Sequence, residues 1–135
     1  MSDATIPDAF RPLLGDDVKA YANLGTLFSD GSPQVTPVWF DTADGAIRIN
    51  TAVGRAKDRN LRRDPRVALA IMDPGNPYRF VQIRGRVQRR TEEGADAHID
   101  RLAKKYLGAD TYPFRQPGEV RVIYVIRPER VTTMG

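Results

Sequence analysis

The sequence predicts a mainly β, α+β fold: an antiparallel barrel of six strands with flanking helices. Three observations carry this expectation. From Leu24 onward, apolar residues alternate mostly with a period of two, as on half-buried strands. Tight-turn sequences, Asp30-Gly31 and Ala43-Asp44-Gly45, separate the alternating runs. Only one long helical stripe is present, and it lies near the end, whereas a parallel sheet needs crossover helices throughout.

The elements follow in order. Pro7 to Ala22 reads as helix interrupted near Gly15, with Phe10, Leu13 and Leu14 on one face and Asp16 or Asp17 capping a second short helix through Val18 and Tyr21. Leu24 to Ser29 and Gln34 to Asp41 form a hairpin about Asp30-Gly31, and Ile47 and Ile49 mark the next strand, so that three antiparallel strands arrive in sequence. Thr51 to Asp64 is helix-forming, with Ala56 and Leu61 as core anchors, and stops before Pro65. Val67 to Met72 is apolar on both faces, which predicts a buried strand. After the turn formers Asp73 to Pro77, Phe80 to Arg90 is a fifth strand. Thr91 is placed as a helix N-cap, Ala95, Ile99, Leu102 and Tyr106 form an apolar stripe, and Gly108 ends it. Tyr112 to Gly118 is loop, and Glu119 to Val131 is the last strand, with Val120, Val122, Tyr124 and Ile126 on one face.

Composition narrows the functional classes. A chain of 135 residues is expected to form one domain over residues 1–135 with a modest core. It has no cysteine and one histidine, His98, which excludes disulfide scaffolds, thiol catalysis, zinc ribbons and a multi-histidine metal site within one chain. No apolar run reaches the roughly 18 residues of a membrane span, and Met1 to Ala4 lacks the start of a secretory signal, so a cytoplasmic protein without membrane partner is expected. The net charge is +4, yet Arg55 to Arg90 holds 11 of the 21 basic residues, opposed only by Asp58, Asp64 and Asp73. Such an excess attracts anions.

Two tracts carry candidate chemistry. In Asn50-Thr51-Ala52-Val53-Gly54-Arg55-Ala56-Lys57-Asp58-Arg59-Asn60 a strand gives way to a small-residue turn and a helix. A helix N-terminus offers free N–H groups to phosphate. Thr51 adds a hydroxyl, Arg55 and Lys57 add charge, and Asn60 lies one turn on, where its amide could reach back. The glycine spacing of a Walker loop is absent. An ordinary capped helix with a wet basic face would show the same residues. The second tract is Pro33 to Phe40, where Pro37 implies a sheet edge, a bulge or a ligand against backbone. Gln34, Thr36, Val38 and Trp39 beside it offer polar and flat apolar contacts to a planar ring, although Val38, Trp39 and Phe40 are equally good core residues. His98 and Tyr106 read as core. Asp96 and Asp100 share one helix face but read as solvent-facing rather than as a catalytic pair.

The order of these parts resembles a known family. Asp30-Gly31-Ser32-Pro33-Gln34-Val35-Thr36-Pro37-Val38-Trp39-Phe40, then Asn50-Thr51, then Arg55-x-Lys57-x-x-Asn60-Leu61-x-x-Asp64-Pro65-x-Val67, then Gly85-x-Val87, is similar to the pyridoxamine 5′-phosphate oxidase-like split β-barrel family. The likeness runs from about Pro7 to Val131. Within the family it resembles the branch using the deazaflavin coenzyme F420, a likeness supported by the tract Ala95 to Gly118.

The resemblance implies an oxidoreductase that passes a hydride from reduced F420 to an activated double bond of a small substrate, with FMN as the alternative cofactor. It implies that Arg55, Lys57 and Asn60, assisted by Thr51 beside Asn50, hold the cofactor phosphate. The backbone of Pro37 to Trp39 would lie along the ring. The family forms homodimers with sites at the interface, so Asn76, Pro77, Tyr78 and Arg79 of the second subunit would close each site. The residues agree: an anionic cofactor suits the arginine-rich stretch, and a cofactor that carries the hydride removes the need for cysteine, metal or histidine. Two rival readings remain, a carrier without turnover and a nucleic-acid-binding barrel. The latter is disfavoured because most of the eleven aromatic residues lie in apolar patterns.

Overall fold

The computed structural model describes residues 4–135. A 3₁₀-helix at Asp8–Leu14 is followed by β1 (Ala22–Leu27), β2 (Pro33–Val38), β3 (Asp41–Ala43), β4 (Ala46–Ala52), α1 (Ala56–Arg63), β5 (Arg66–Asp73), β6 (Asn76–Thr91), α2 (Ala95–Leu107) and β7 (Arg121–Met134). The strands form one sheet in the order β2-β1-β5-β6-β7-β4-β3, antiparallel at every ladder.

This is the expected α+β, mainly β class, but with seven strands rather than six. The run Gln34 to Asp41 is not one strand. It breaks at Trp39 and Phe40, because Phe40 is fully buried in the core and Trp39 stacks on Tyr106 of α2. The break carries the chain from one edge of the sheet to the other, so β2 pairs with β1 while β3 pairs with β4. The three strands expected to pair in sequence therefore do not: β4 pairs with β7 instead. Among the described residues no ladder joins β2 to β3, so the barrel is not closed by hydrogen bonds.

Other expectations need correction. The second helix near Asp16 is absent, since Ala20, Ala22 and Leu24 enter the core in extended chain. Thr51 and Ala52 finish β4, and the helix begins only at Ala56. Thr91 ends β6, and its hydroxyl accepts the Glu93 N–H; Gly94, in the left-handed region, is the residue before α2. β5 is buried on one face only. Val67, Leu69 and Ile71 point into the core, while Ala68 and Met72 are exposed. The last strand runs from Arg121 to Met134, with Val122, Tyr124 and Ile126 in the core and Val120 outside it.

The α2 stripe is buried as expected. At Gly85, where the β6–β7 register shifts, a Cβ would collide with the Arg127 carbonyl, so the close approach of these two long strands requires glycine. Among the described residues no helix is long and apolar enough to cross a membrane.

Candidate anion site at the β4–α1 turn

The site is built from a tight junction. β4 ends at Ala52, and Gly54 takes φ +94°, with open space where a side chain would project. Arg55, in extended backbone, is the cap residue of α1, and no side chain caps that end. The first N–H groups of a helix have no intrahelical acceptor, so this turn presents donors and the positive end of the helix dipole.

Asp58, Asn60 and Leu61 turn inward and are buried. Asp58 Oδ2 accepts the Gly54 N–H at 2.9 Å, and Oδ1 accepts from the Tyr124 hydroxyl at 2.6 Å and from Arg90 Nε at 3.2 Å. Burial alone would raise the Asp58 pKa, but the Tyr124 hydroxyl, the Gly54 N–H and Arg90 outweigh it and hold the carboxyl below its ordinary range. The one acidic residue of the turn is thus neutralised behind it.

The cations at the N-terminal end of α1 are short of counter-ions. Lys57 is half-buried and has no hydrogen-bond or ion-pair partner among the described residues. Burial, then repulsion from Arg55 and Arg121, holds its ammonium below the usual lysine range. Arg55 reaches Glu119 only at 3.5 Å, whereas Arg121 binds the same carboxylate at 2.9 Å. Two arginines therefore share one acid, and Lys57 has none among the described residues. Thr51, one residue before the end of β4, is buried, and its hydroxyl has no partner. An unpaired ammonium at a helix N-terminus is a group that an anion would satisfy.

The other sequence-predicted residues are placed differently. Asn60 does not reach back toward the turn: its amide donates to Thr26 Oγ1 at 3.0 Å, and its oxygen accepts from Arg63. Thr26 in turn donates to Gln34 Oε1 at 3.4 Å, so an α1–β1–β2 chain ties the cradle helix to the edge strand. Pro37 is exposed on β2, which lies at the end of the sheet order, the edge position its missing N–H implied. Thr36 and Val38 share the partly buried face of β2, Val38 packs against the core, and Trp39 packs on Tyr106 and Tyr112. For these two, the core reading holds.

Asn50 is fully engaged, donating to the Ala95 carbonyl and to His98 while accepting from Arg121. His98 is buried between Asn50 and Asp41, and Asp96 and Asp100 bind Arg115.

Asn76, Pro77 and Tyr78 are exposed at the start of β6. Arg79 donates to the Ala9 carbonyl and covers the Phe10 ring. Phe80 pairs with Met134, so these residues lie off the far end of β7 from Arg121, a contour of about 40 Å. One chain does not bring them to the cradle. An open groove of about 900 Å³ lies elsewhere on the sheet, lined by Val35, Ala68, Arg84 and Arg86 among others, and it includes neither Arg55 nor Lys57.

Sequence reasoning missed Glu119 and Arg121. Their signal was two charges flanking Val120 at the mouth of an otherwise apolar strand.

The strand–turn–helix junction of this antiparallel sheet thus gathers cations that outnumber their counter-ions. The pyridoxamine 5′-phosphate oxidase family model matches residues 16–135, and the chain belongs to that family. Among solved structures, the chain is similar to an F420 reductase at 32% identity and a TM-score of 0.81, covering 94% of this chain and 98% of the other. It is also similar to a conserved hypothetical protein of Mycobacterium tuberculosis at 25% identity and a TM-score of 0.72, covering 99% of this chain and 88% of that one. A putative pyridoxamine 5′-phosphate oxidase of Listeria innocua, at 20% identity and a TM-score of 0.68 over 93% and 95%, shares the fold.

Proposed function

We propose that the protein is an F420-dependent oxidoreductase that acts in the cytoplasm as a homodimer. The observation that carries this reading is Lys57, an ammonium with no counter-ion among the described residues, repelled by both Arg55 and Arg121 at the start of α1. The likeness to an F420 reductase at 32% identity supports the choice of cofactor. FMN fits the same cradle, because both cofactors carry a phosphate on a ribityl chain.

The residues fit such a group. Arg55 and Lys57 supply charge-assisted hydrogen bonds, the first turn of α1 supplies N–H donors, and Thr51 supplies a hydroxyl. The edge of β2 around Pro37 offers unpaired backbone along which a planar ring can lie. Reduced F420, when bound, supplies the hydride for an activated double bond of a small organic substrate. The chain's own part is to bind the phosphate, orient the ring and exclude water.

A second copy supplies the other wall. The outer face of β5 exposes Ala68 and Met72, and Val35 and Tyr78 are exposed nearby in the fold. Mating these faces about a two-fold axis would cover apolar surface and carry Asn76 to Arg79 of the partner toward the cradle.

Titration with F420 and, separately, with FMN, followed by ligand fluorescence and absorbance, tests the cofactor. Tighter binding of F420, with reduced F420 consumed when an activated alkene is added, is expected. Binding of neither sinks the reading, and binding of FMN alone moves it to the flavin branch. Sedimentation across a dilution series tests the dimer, and a monomer that binds F420 at full strength overturns the shared site.

A further inference from the structure

A chain of hydrogen bonds runs from the cradle into the core. Arg48 binds Asp41 through Nε at 2.9 Å and Nη2 at 2.6 Å. Asp41 Oδ1 lies 2.9 Å from His98 Nε2. His98 Nδ1 lies 3.1 Å from Asn50 Nδ2, and Asn50 Oδ1 accepts from Arg121 Nε at 2.8 Å. Arg121 then binds Glu119 at 2.9 Å, and Glu119 is the acid that Arg55 touches only at 3.5 Å.

The proton assignments in this chain are forced. Arginine can only donate, so Asn50 must turn its oxygen to Arg121 and its NH₂ to the Ala95 carbonyl and His98. His98 Nδ1 must then accept. Its ring proton sits on Nε2 and is donated to Asp41, a carboxylate held ionised by His98 and by the bidentate Arg48 despite its burial. Every link fixes the next, and the last is the guanidinium of Arg121, which also lies over the Tyr112 ring at 5.2 Å.

Arg121 is itself buried, with 3% of its side chain exposed, so it does not offer itself to a ligand. Its effect is on Glu119. While Arg121 holds that carboxylate, Arg55 keeps only a long contact and remains about half exposed. With Arg121 displaced, Glu119 would be free to close on Arg55 and cancel the cradle's charge.

We propose that His98 is a positioning residue for the anion cradle: through Asn50 it fixes Arg121 on Glu119 and so keeps Arg55 free for the anionic group of the ligand. This rests on the reading of the β4–α1 turn as an anion site.

His98 is the only histidine in the chain, so the imidazole ¹⁵N signals of labelled protein belong to it alone. In the free protein they should show an unprotonated Nδ1 and a protonated Nε2. Inorganic phosphate should then move the Nδ1 signal saturably, in step with binding. Asn50→Ala should abolish that movement and weaken phosphate binding roughly two- to thirtyfold, the range for a residue acting through others. It should leave the affinity for phosphate-free riboflavin unchanged, which a general loss of structure would not. If phosphate binds and Lys57→Ala abolishes the binding while the His98 signal stays still, the positioning role is wrong and the cradle stands. If phosphate does not bind wild-type protein, the cradle reading fails with it. The wild-type titration gives its answer even if Asn50→Ala does not fold.

Discussion

The inner face of α1 and its N-terminal end use polar residues to opposite ends. On the inner face, Asp58 satisfies a backbone N–H, a tyrosine hydroxyl and an arginine, and Asn60 bridges Thr26 and Arg63. At the N-terminal end, Lys57 has no partner among the described residues, and Arg55 shares one acid at long range with a better-placed competitor. Polar groups that find partners within the chain hold the fold together. Those left short of partners remain available to a ligand. Arginine count alone does not distinguish them, since Arg90 lies in the same basic stretch as Arg55 yet is committed to Asp58.

Removing the centre of the inner face should have the largest effect. Asp58→Ala leaves the Gly54 N–H, the Tyr124 hydroxyl and Arg90 without their shared acceptor, a loss of about 3–5 kcal/mol for a broken buried pair. Urea unfolding would measure it, and a loss below about 1 kcal/mol would show the cluster to be incidental. The same carboxylate sets an acid limit. Its folded pKa lies below the ordinary 3.8, so the unfolded chain binds its proton first as pH falls. Its contribution is complete above that value and is lost as pH falls through the lower folded one. Stability measured below pH 4 should therefore fall less steeply in Asp58→Asn than in wild type.

The N-terminal end should respond the other way. Lys57→Ala should cost about 1.5–3 kcal/mol in binding of a phosphate-bearing cofactor, the worth of a charge-assisted hydrogen bond. Fold stability should hold or rise, because the substitution relieves repulsion with Arg55 and Arg121. Titration and urea unfolding of the same preparation separate the two. A variant that loses stability and affinity together would erase the distinction between the two regions.

Much of this was legible in the sequence, and the limits have physical causes. The period-two runs, the Asp30-Gly31 turn and the α2 stripe are local patterns, and the chain follows them. The pairing of β4 with β7 is a contact across 69 to 79 residues, and no local pattern encodes it. That same long-range ladder brings Arg121 to Asn50, which is why Glu119 and Arg121 were missed while Arg55 and Lys57, close together in sequence, were found. Asn60 was assigned to the ligand because its spacing from the turn is right. Its direction depends on Thr26, a residue 34 positions away.

Gly54→Ala tests the frame that carries the N-terminal end of α1. A Cβ at Gly54 meets nothing within 4 Å, so the cost is backbone conformation alone. A φ of +94° disfavours any residue with a Cβ, by about 1 kcal/mol. The turn would relax toward negative φ and re-aim the Gly54 N–H that Asp58 now accepts. Stability should fall by that modest amount, and affinity for the anionic ligand with it. Full stability in the variant would mean that the turn does not need its left-handed residue.

The smallest effect should come from Arg89→Ala, and it sharpens the comparison most. Arg89 belongs to the same basic stretch, but it is exposed on β6 and makes no ion pair among the described residues. Two explanations of anion binding diverge here. If the whole stretch attracts anions through a diffuse field, each arginine contributes in proportion to its charge, and Arg89→Ala should weaken binding about as much as Lys57→Ala. If binding is local, only desolvated donors at the turn count, because exposed charges more than about 10 Å apart are largely screened at 0.1 M salt. The second expectation follows from the burial of Lys57 and Thr51. Arg89→Ala should leave stability within about 0.5 kcal/mol of wild type and affinity unchanged at that salt. Titrations of the two variants at low and moderate salt decide it: a loss for Arg89→Ala that matches Lys57→Ala at both salts would replace the cradle with a field.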